Sequence, residues 1–314
     1  MESELFHTLC SKLNFSDVQL VKSMILAPVS YKVYSIPKKN GGLRTIAHPA
    51  KKLKEIQQEL LVLLEKDLKI HESAFAYIKG KSIIHNANVH KKNKFLLKLD
   101  FHDFFNSISN DIFIQYLEKI GVRLNKIDKL LISYIFFWNP NKKEKSHKKL
   151  ILSVGSPSSP KISNAIMYYF DDEIKKYCHQ RAMEYSRYAD DISISGNEKD
   201  ELKKVIPIIR KKLNEFFDGR IILNELKTVI VSPGYNKFIT GITLTPQGNL
   251  SIGRKRKKYI FSLIYQYTKN ELSEDLIAHL RGLLSFSHDV EPSFIKRLES
   301  KYGKEIIRSL VNEK

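Results

Sequence analysis

Apolar residues recur at helical spacing from the start of the chain. Leu5, Leu9 and Leu13, then Val18, Val21 and Met24, predict a helical lead-in over residues 1 to about 30. From Tyr34 to Ile46 the pattern becomes a strand pair around Asn40-Gly41-Gly42, a sequence suited to a tight hairpin turn. Lys54 to Leu68 returns to the helical period, with Ile56, Leu60, Leu61, Leu63 and Leu64 making an amphipathic helix. Phe95 to Leu99 is an apolar run of strand length, and Asp111 to Ile120 reads as a helix closed by Gly121. Asn139 to Lys149 is lysine-rich without period, an exposed hairpin loop. Ile162, Ala165, Ile166, Tyr169, Phe170, Ile174 and Tyr177 form a helical stripe. Tyr185-Ser186-Arg187 and Ile192-Ser193-Ile194-Ser195 are short β-forming runs flanking Tyr188-Ala189-Asp190-Asp191, the arrangement of a hairpin. From Arg254 the chain is helical and basic through Leu263, Ile264, Tyr267, Leu276, Leu280, Leu283 and Leu284. No fixed-period repeat or low-complexity linker interrupts these segments, so they are expected to pack as one unit.

Composition narrows the class. With 314 residues, 42% of them hydrophobic, the chain can bury a substantial core. Lys and Arg number 53 against 34 Asp and Glu, a formal net charge of +19 that suits a polyanionic partner. No run of about 18 apolar residues is present, and Met1-Glu2-Ser3-Glu4 lacks the basic and apolar regions of a secretory signal, so a cytosolic protein without a membrane partner is expected. Cys10 and Cys178 are isolated, without metal-ligand spacing, and read as ordinary thiols of a reducing compartment.

The acids change the picture most. Asp190 and Asp191 stand at a hairpin tip, where adjacent carboxylates repel one another unless cations sit against them. A lone Asp-Asp pair is more often a solvated turn, but Asp100 ends the apolar Phe95–Leu99 strand, where an acid is costly unless paired or metal-bound. Brought beside the hairpin in one sheet, Asp100 would complete a three-carboxylate cage for two Mg²⁺ ions. Asp171-Asp172 is an internal control. It falls within a helical stripe, so its two acids are expected to diverge and face solvent.

These residues resemble the reverse transcriptases, and more narrowly those of bacterial retrons. Tyr188-Ala189-Asp190-Asp191 is similar to the family's YADD box, and Leu99-Asp100-Phe101-His102-Asp103-Phe104-Phe105 to its preceding catalytic box. Ile36-Pro37-Lys38-Lys39-Asn40-Gly41-Gly42-Leu43-Arg44-Thr45-Ile46 resembles the fingers segment, and Asn224-Glu225-Leu226-Lys227-Thr228 the later palm segment. Asn86-Ala87-Asn88-Val89-His90 matches the retron NAxxH element, and Ile239-Thr240-Gly241 resembles VTG. The six occur in family order, from about residue 30 to the C-terminus. One departure is plain: Val154 in Leu152-Ser153-Val154-Gly155-Ser156-Pro157-Ser158-Ser159-Pro160 stands where the family has a glutamine beside the nucleotide. The side-chain hydrogen bond missing there is worth about 1 kcal/mol.

The resemblance implies an α+β right-hand polymerase: an N-terminal helical segment at 1–30, fingers at 31–94, a palm at 95–250 of antiparallel sheet backed by helices, with a fingers-like insertion at about 122–155, and a helical thumb at 251–314. It implies an RNA-directed DNA polymerase, with Asp100, Asp190 and Asp191 binding two Mg²⁺ ions and Lys227 protonating pyrophosphate. Lys38, Lys39, Arg44, Phe101 and Phe105 would bind the deoxynucleoside triphosphate, Phe105 excluding a ribose 2′-OH. Asn86 and His90, four apart and so on one helix face, could read RNA or cap a neighbouring element. Thr240 and Gly241 would admit the primer closely, and Arg254, Lys255, Arg256, Lys257 and Lys258 would hold RNA phosphates. Tyr259, Tyr265 and Tyr267 could stack on bases, although their spacing places most of them in the core.

For retrons the resemblance further implies priming from a 2′-OH of a cognate structured noncoding RNA, a branched RNA–DNA product (msDNA), and antiphage defence with a separate effector protein. A non-catalytic RNA-binding scaffold would need no acids, an intron maturase would carry further regions, and a palm-type nucleotide cyclase would need no thumb.

Overall fold

The computed structural model describes residues 3–37, 41–141 and 149–312. Helix α1 (Glu4–Leu13) starts where the Ser3 hydroxyl accepts from the Phe6 amide, 2.9 Å away, and stops at Asn14 in a left-handed conformation. Helix α2 (Asp17–Leu26) opens on a reciprocal Ser16/Gln19 capping box. Strands β1 (Tyr31–Pro37) and β2 (Leu43–Pro49) pair antiparallel from Tyr31↔Pro49 to Pro37↔Leu43, as the glycine turn predicts. Helix α3 (Lys51–Leu64) begins three residues before the expected start at Lys54, with Leu53 already on its buried face, and ends before Leu68.

Helix α4 (Ile83–His90) leads into strand β3 (Phe95–Asp100), and the short α5 (Phe104–Ser107) follows. Helices α6 (Asn110–Lys119) and α7 (Lys126–Phe136) come next, and Trp138 then pairs with Ile151, closing the neck of the lysine-rich segment. The loop expected over Asn139–Lys149 lies largely outside the described residues. Helices α8 (Ser159–Ile166) and α9 (Tyr168–His179) precede the hairpin of β4 (Glu184–Tyr188) and β5 (Asp191–Gly196). Helix α10 (Lys199–Phe217) then runs to β6 (Val229–Val231).

The central sheet has strand order β4-β5-β3-β6, antiparallel throughout. Pairing fixes its faces, because opposed residues share a side and successive residues alternate. Tyr185, Arg187, Ile192 and Ile194 lie on the face toward α9, whose Asp171 bonds both Tyr185 and Arg187. Ser186, Ser193 and Ser195 lie on the other face, where His90 of α4 bonds Ser186 and Ser195. Small hydroxyls there let a helix sit close to the strands.

A second sheet of β7 (Lys237–Ile239), β8 (Ile242–Leu244) and β9 (Leu250–Ser251) leads to α11 (Arg254–Thr268), α12 (Glu274–Val290), α13 (Pro292–Tyr302) and α14 (Lys304–Asn312). Two apolar clusters result. One joins α1–α3, the central sheet and α6–α10; the other joins the second sheet to the C-terminal helices and includes Ala87 and Leu96. Among the described residues no helix is long and apolar enough to cross a membrane.

Candidate active site

The register of the central sheet sets Asp100 directly opposite Asp191, and the Asp190 carbonyl accepts from the Phe101 amide at 3.2 Å. Like charges directly opposed on one face destabilise a strand pair, so such a placement calls for counter-charge. Burial first, then the Asp190 and Asp100 charges, push the Asp191 carboxyl up to about 6. Asp190 is raised as well, by burial and then Asp100, with the Lys227 and Arg44 charges acting against the shift. Lys227, on the 3-10 turn Glu225–Lys227, donates to Asp100 Oδ2 at 2.8 Å. That hydrogen bond is the main reason its ammonium is held above the ordinary lysine range.

The closed cage expected from the sequence is not preassembled: among the described residues no three acidic, histidine or cysteine side chains enclose a metal position. The donors still fit a divalent cation, because they are hard oxygens that burden one another and share one sheet end. Mg²⁺ fills its remaining positions with water and substrate phosphates rather than demanding an all-protein shell.

Beside the acids lies a cleft of about 410 Å³, lined by Lys54, Gln58, Tyr77, Phe105, Val154, Gly155, Pro157 and Pro160, among others. Phe105 reaches it; Phe101 does not. Phe101 is buried and stacks on Phe104 with ring centroids 5.1 Å apart, so the expectation that it contacts nucleotide is corrected. The Val154 carbonyl accepts from the Ala47 amide at 3.0 Å, and a Cβ on Gly155 would stand 3.2 Å from the Ala47 carbonyl oxygen. Glycine is therefore required where the floor of the cleft meets β2. Arg44 is exposed on β2, near enough to act on both Asp190 and Tyr77. Lys38 and Lys39 lie outside the described residues.

Asn86 and His90 do share a helix face, but it is an interior one. His90 is fully buried, its Nε2 2.7 Å from Ser186 Oγ and its Nδ1 2.8 Å from Ser195 Oγ. Burial depresses its pKa to about 3. Of the two uses left open by the sequence, this position serves a neighbouring element and does not reach RNA. Asn86 is equally enclosed, at 1% exposure. Thr240 and Gly241 form the two-residue turn between β7 and β8, with φ of 47° and 86°; the space beyond Gly241 is open.

The basic run divides. Arg254, Lys255 and Lys258 are exposed, whereas Lys257 pairs with Glu291 and Arg256 lies 4.9 Å over the Phe286 ring, which corrects the expectation that all five face phosphates. Tyr259 and Tyr265 are exposed rather than in the core, because α11 buries Ile260, Leu263 and Ile264 on its other side.

The largest correction concerns Asp171. Its helix does turn Asp171 and Asp172 apart, but Asp171 has no exposed surface and forms a bidentate ion pair with the fully buried Arg187. Arg187, Asn164, Tyr77 and Lys98 are the residues that sequence reasoning passed over. Arg187 directly precedes the Tyr188 box, and a cation inside a short β-forming run was the signal available.

Residues 36–267 match the family described as reverse transcriptase (RNA-dependent DNA polymerase). The chain belongs to the reverse transcriptase family. It is similar to the Retron Ec83 reverse transcriptase of Escherichia coli, 43% identical over 280 residues that cover 89% of each chain. To the Retron Ec73 reverse transcriptase of the same organism it is 30% identical over 301 residues, 91% of this chain and 92% of the relative. The enzyme is thus an RNA-directed DNA polymerase of the retron type, and the right-hand fold expected for it is the one described above. In this reverse transcriptase the antiparallel central sheet carries the acids, and α11–α14 follow the second sheet at the C-terminal end.

Proposed function

We propose that the enzyme extends a 2′-OH of a cognate structured noncoding RNA, copying part of that RNA from deoxynucleoside triphosphates into a branched RNA–DNA hybrid. The observation that carries the reading is the Asp100↔Asp191 pairing with Asp190 at the adjoining turn, in a chain of this family. Asp100, Asp190 and Asp191 would hold two Mg²⁺ ions. When bound, the ions lower the pKa of the attacking hydroxyl and stabilise charge on the leaving pyrophosphate.

The chain's own groups supply the rest. Lys227 carries a proton within reach of the acids and is the candidate donor to pyrophosphate. Arg44 is placed to hold phosphate oxygens with its planar fork, with Lys38 and Lys39 beside it in sequence. Phe105, in the cleft wall, would exclude a ribose 2′-OH by bulk. The Thr240-Gly241 turn leaves room for a primer backbone, and the exposed cations of α11 face RNA phosphates. The similarity to retron enzymes supports an extension of this role: antiphage defence with a separate effector protein, in the cytoplasm.

The test is to sequence nucleic acid that copurifies with the parent and with Asp190→Asn. The parent should yield a branched RNA–DNA species. The variant should yield RNA alone, with extension reduced by at least about 10³-fold, the loss of several kcal/mol of charge stabilisation. Unbranched DNA in the parent, or full extension by the variant, would overturn the reading.

A further inference from the structure

We propose that the buried Asp171–Arg187–Asn164 set is a positioning device that holds the Ala189-Asp190 turn and so aims Asp190 at its divalent cation. The inference rests on the polymerase reading above and adds residues that do not touch substrate.

Every edge of the Arg187 guanidinium is used. Nε donates to Asp171 Oδ1 at 2.9 Å and Nη2 to Oδ2 at 2.7 Å. Nη1 points the other way, to Asn164 Oδ1 at 3.1 Å and to the Ala189 carbonyl at 3.0 Å. Ala189 has φ 57°, a left-handed conformation that an alanine adopts only when its surroundings impose it. The carbonyl held by Arg187 belongs to that strained residue, one bond before Asp190.

Stability alone does not explain an ion pair at this place. Ile192 and Ile194 beside it are apolar and buried, Tyr185 adds only its hydroxyl to Asp171, and a buried pair can often be replaced by packed hydrophobic side chains without loss. A hydrophobic substitute would leave the turn carbonyl unheld. A lysine would answer Asp171 but lacks the second edge. The same hub also braces the nucleotide cleft: Asn164 Nδ2 donates to the Ala76 carbonyl at 2.9 Å, next to Tyr77, and the Arg187 carbonyl accepts from the Phe75 amide at 2.9 Å. One guanidinium thus ties the metal-facing turn to the segment that carries Tyr77.

The experiment compares the parent, Arg187→Lys, Arg187→Lys/Ala189→Gly, Asn164→Ala and Asp190→Asn. For each, the Mg²⁺ dependence of primer extension at saturating nucleotide, Fe²⁺-directed backbone cleavage at the turn, and thermal unfolding without metal are measured. Arg187→Lys should need about tenfold more Mg²⁺ for half-maximal extension, the worth of one charge-assisted hydrogen bond, with its rate recovering at saturating Mg²⁺ and its Fe²⁺ cleavage weakened. Ala189→Gly should restore a large part of that shift, because glycine holds a positive φ without help. Asn164→Ala, which keeps the ion pair, should shift in the same direction by about threefold and keeps the test alive if Arg187→Lys does not fold. A Mg²⁺ curve that overlays the parent's, or a shift that Ala189→Gly leaves untouched while unfolding temperature falls, would make Arg187 a packing residue and overturn the proposal. Asp190→Asn separates the two readings: its retention of activity defeats the metal assignment itself, whereas its inactivity beside an unshifted Arg187→Lys defeats only the positioning.

Discussion

At Asp191 burial and two neighbouring carboxylates act in one direction, and Lys98 and Lys227 oppose them. Its folded-state pKa of about 6 lies above the unfolded aspartate value, so the folded chain holds the proton more tightly. That contribution to stability is present at low pH and is lost as pH rises through about 6. Asp191→Asn should therefore raise the metal-free unfolding temperature at pH 7, with the advantage disappearing below about pH 4, while Mg²⁺ stabilises the parent and not the variant. Thermal scans at both pH values, with and without Mg²⁺, check this; an equal response to Mg²⁺ would detach Asp191 from the metal. The three acids were legible from sequence because each depends on local grammar, a strand end and a tight turn. Asp171 was not, because the helical period shows that adjacent acids diverge but not which one meets a cation on another element. Its partner Arg187 lies 16 residues away, on a strand whose inward face only the fold defines.

Helix α11 shows the same limit one level up. Its start after Gly253, with φ 83°, and its basic character are readable directly, whereas the division of its cations depends on where α12 and α13 pack. Lys257 answers Glu291, whose other oxygen accepts from Ser251 Oγ and the Ile252 amide. Replacing Arg254, Lys255 and Lys258 by Gln should weaken RNA binding and flatten its salt dependence by about 0.7 to 0.9 in log–log slope for each phosphate no longer neutralised, with little change in unfolding temperature. Lys257→Gln should do the reverse, lowering unfolding temperature because Glu291 is left half-buried without its cation, and leaving the salt slope intact. Salt titrations of RNA affinity alongside thermal scans discriminate them; equal salt slopes in parent and triple variant would place the RNA elsewhere.

Across the whole molecule, α4 ties the palm hairpin to the C-terminal cluster, with His90 bonded to the strands and Ala87 packed in the second core. His90 is neutral in the folded state and has a pKa near 6.5 when unfolded, so its contribution is full above about pH 6.5 and is lost on acidification toward about 3. Urea midpoints at pH 7 and pH 5 should show a parent loss that His90→Asn reduces by about 2 kcal/mol. An identical pH dependence in the two proteins would mean that His90 is reached by water. The NAxxH pattern thus announced that something was fixed at this place, while the fold alone reveals that it is an internal strut. The floor of the cleft, where β2 meets the palm, has a last consequence. At Val154 and Gly155, and along the walls at Pro157 and Pro160, the lining offers an aliphatic surface, a bare main chain and two rings without donors. None of these four side chains carries a group that could tell adenine from cytosine by a hydrogen bond. If the base of an incoming nucleotide rests on these four residues, their side chains take no part in choosing the letter, and pairing with the strand being read must supply that choice.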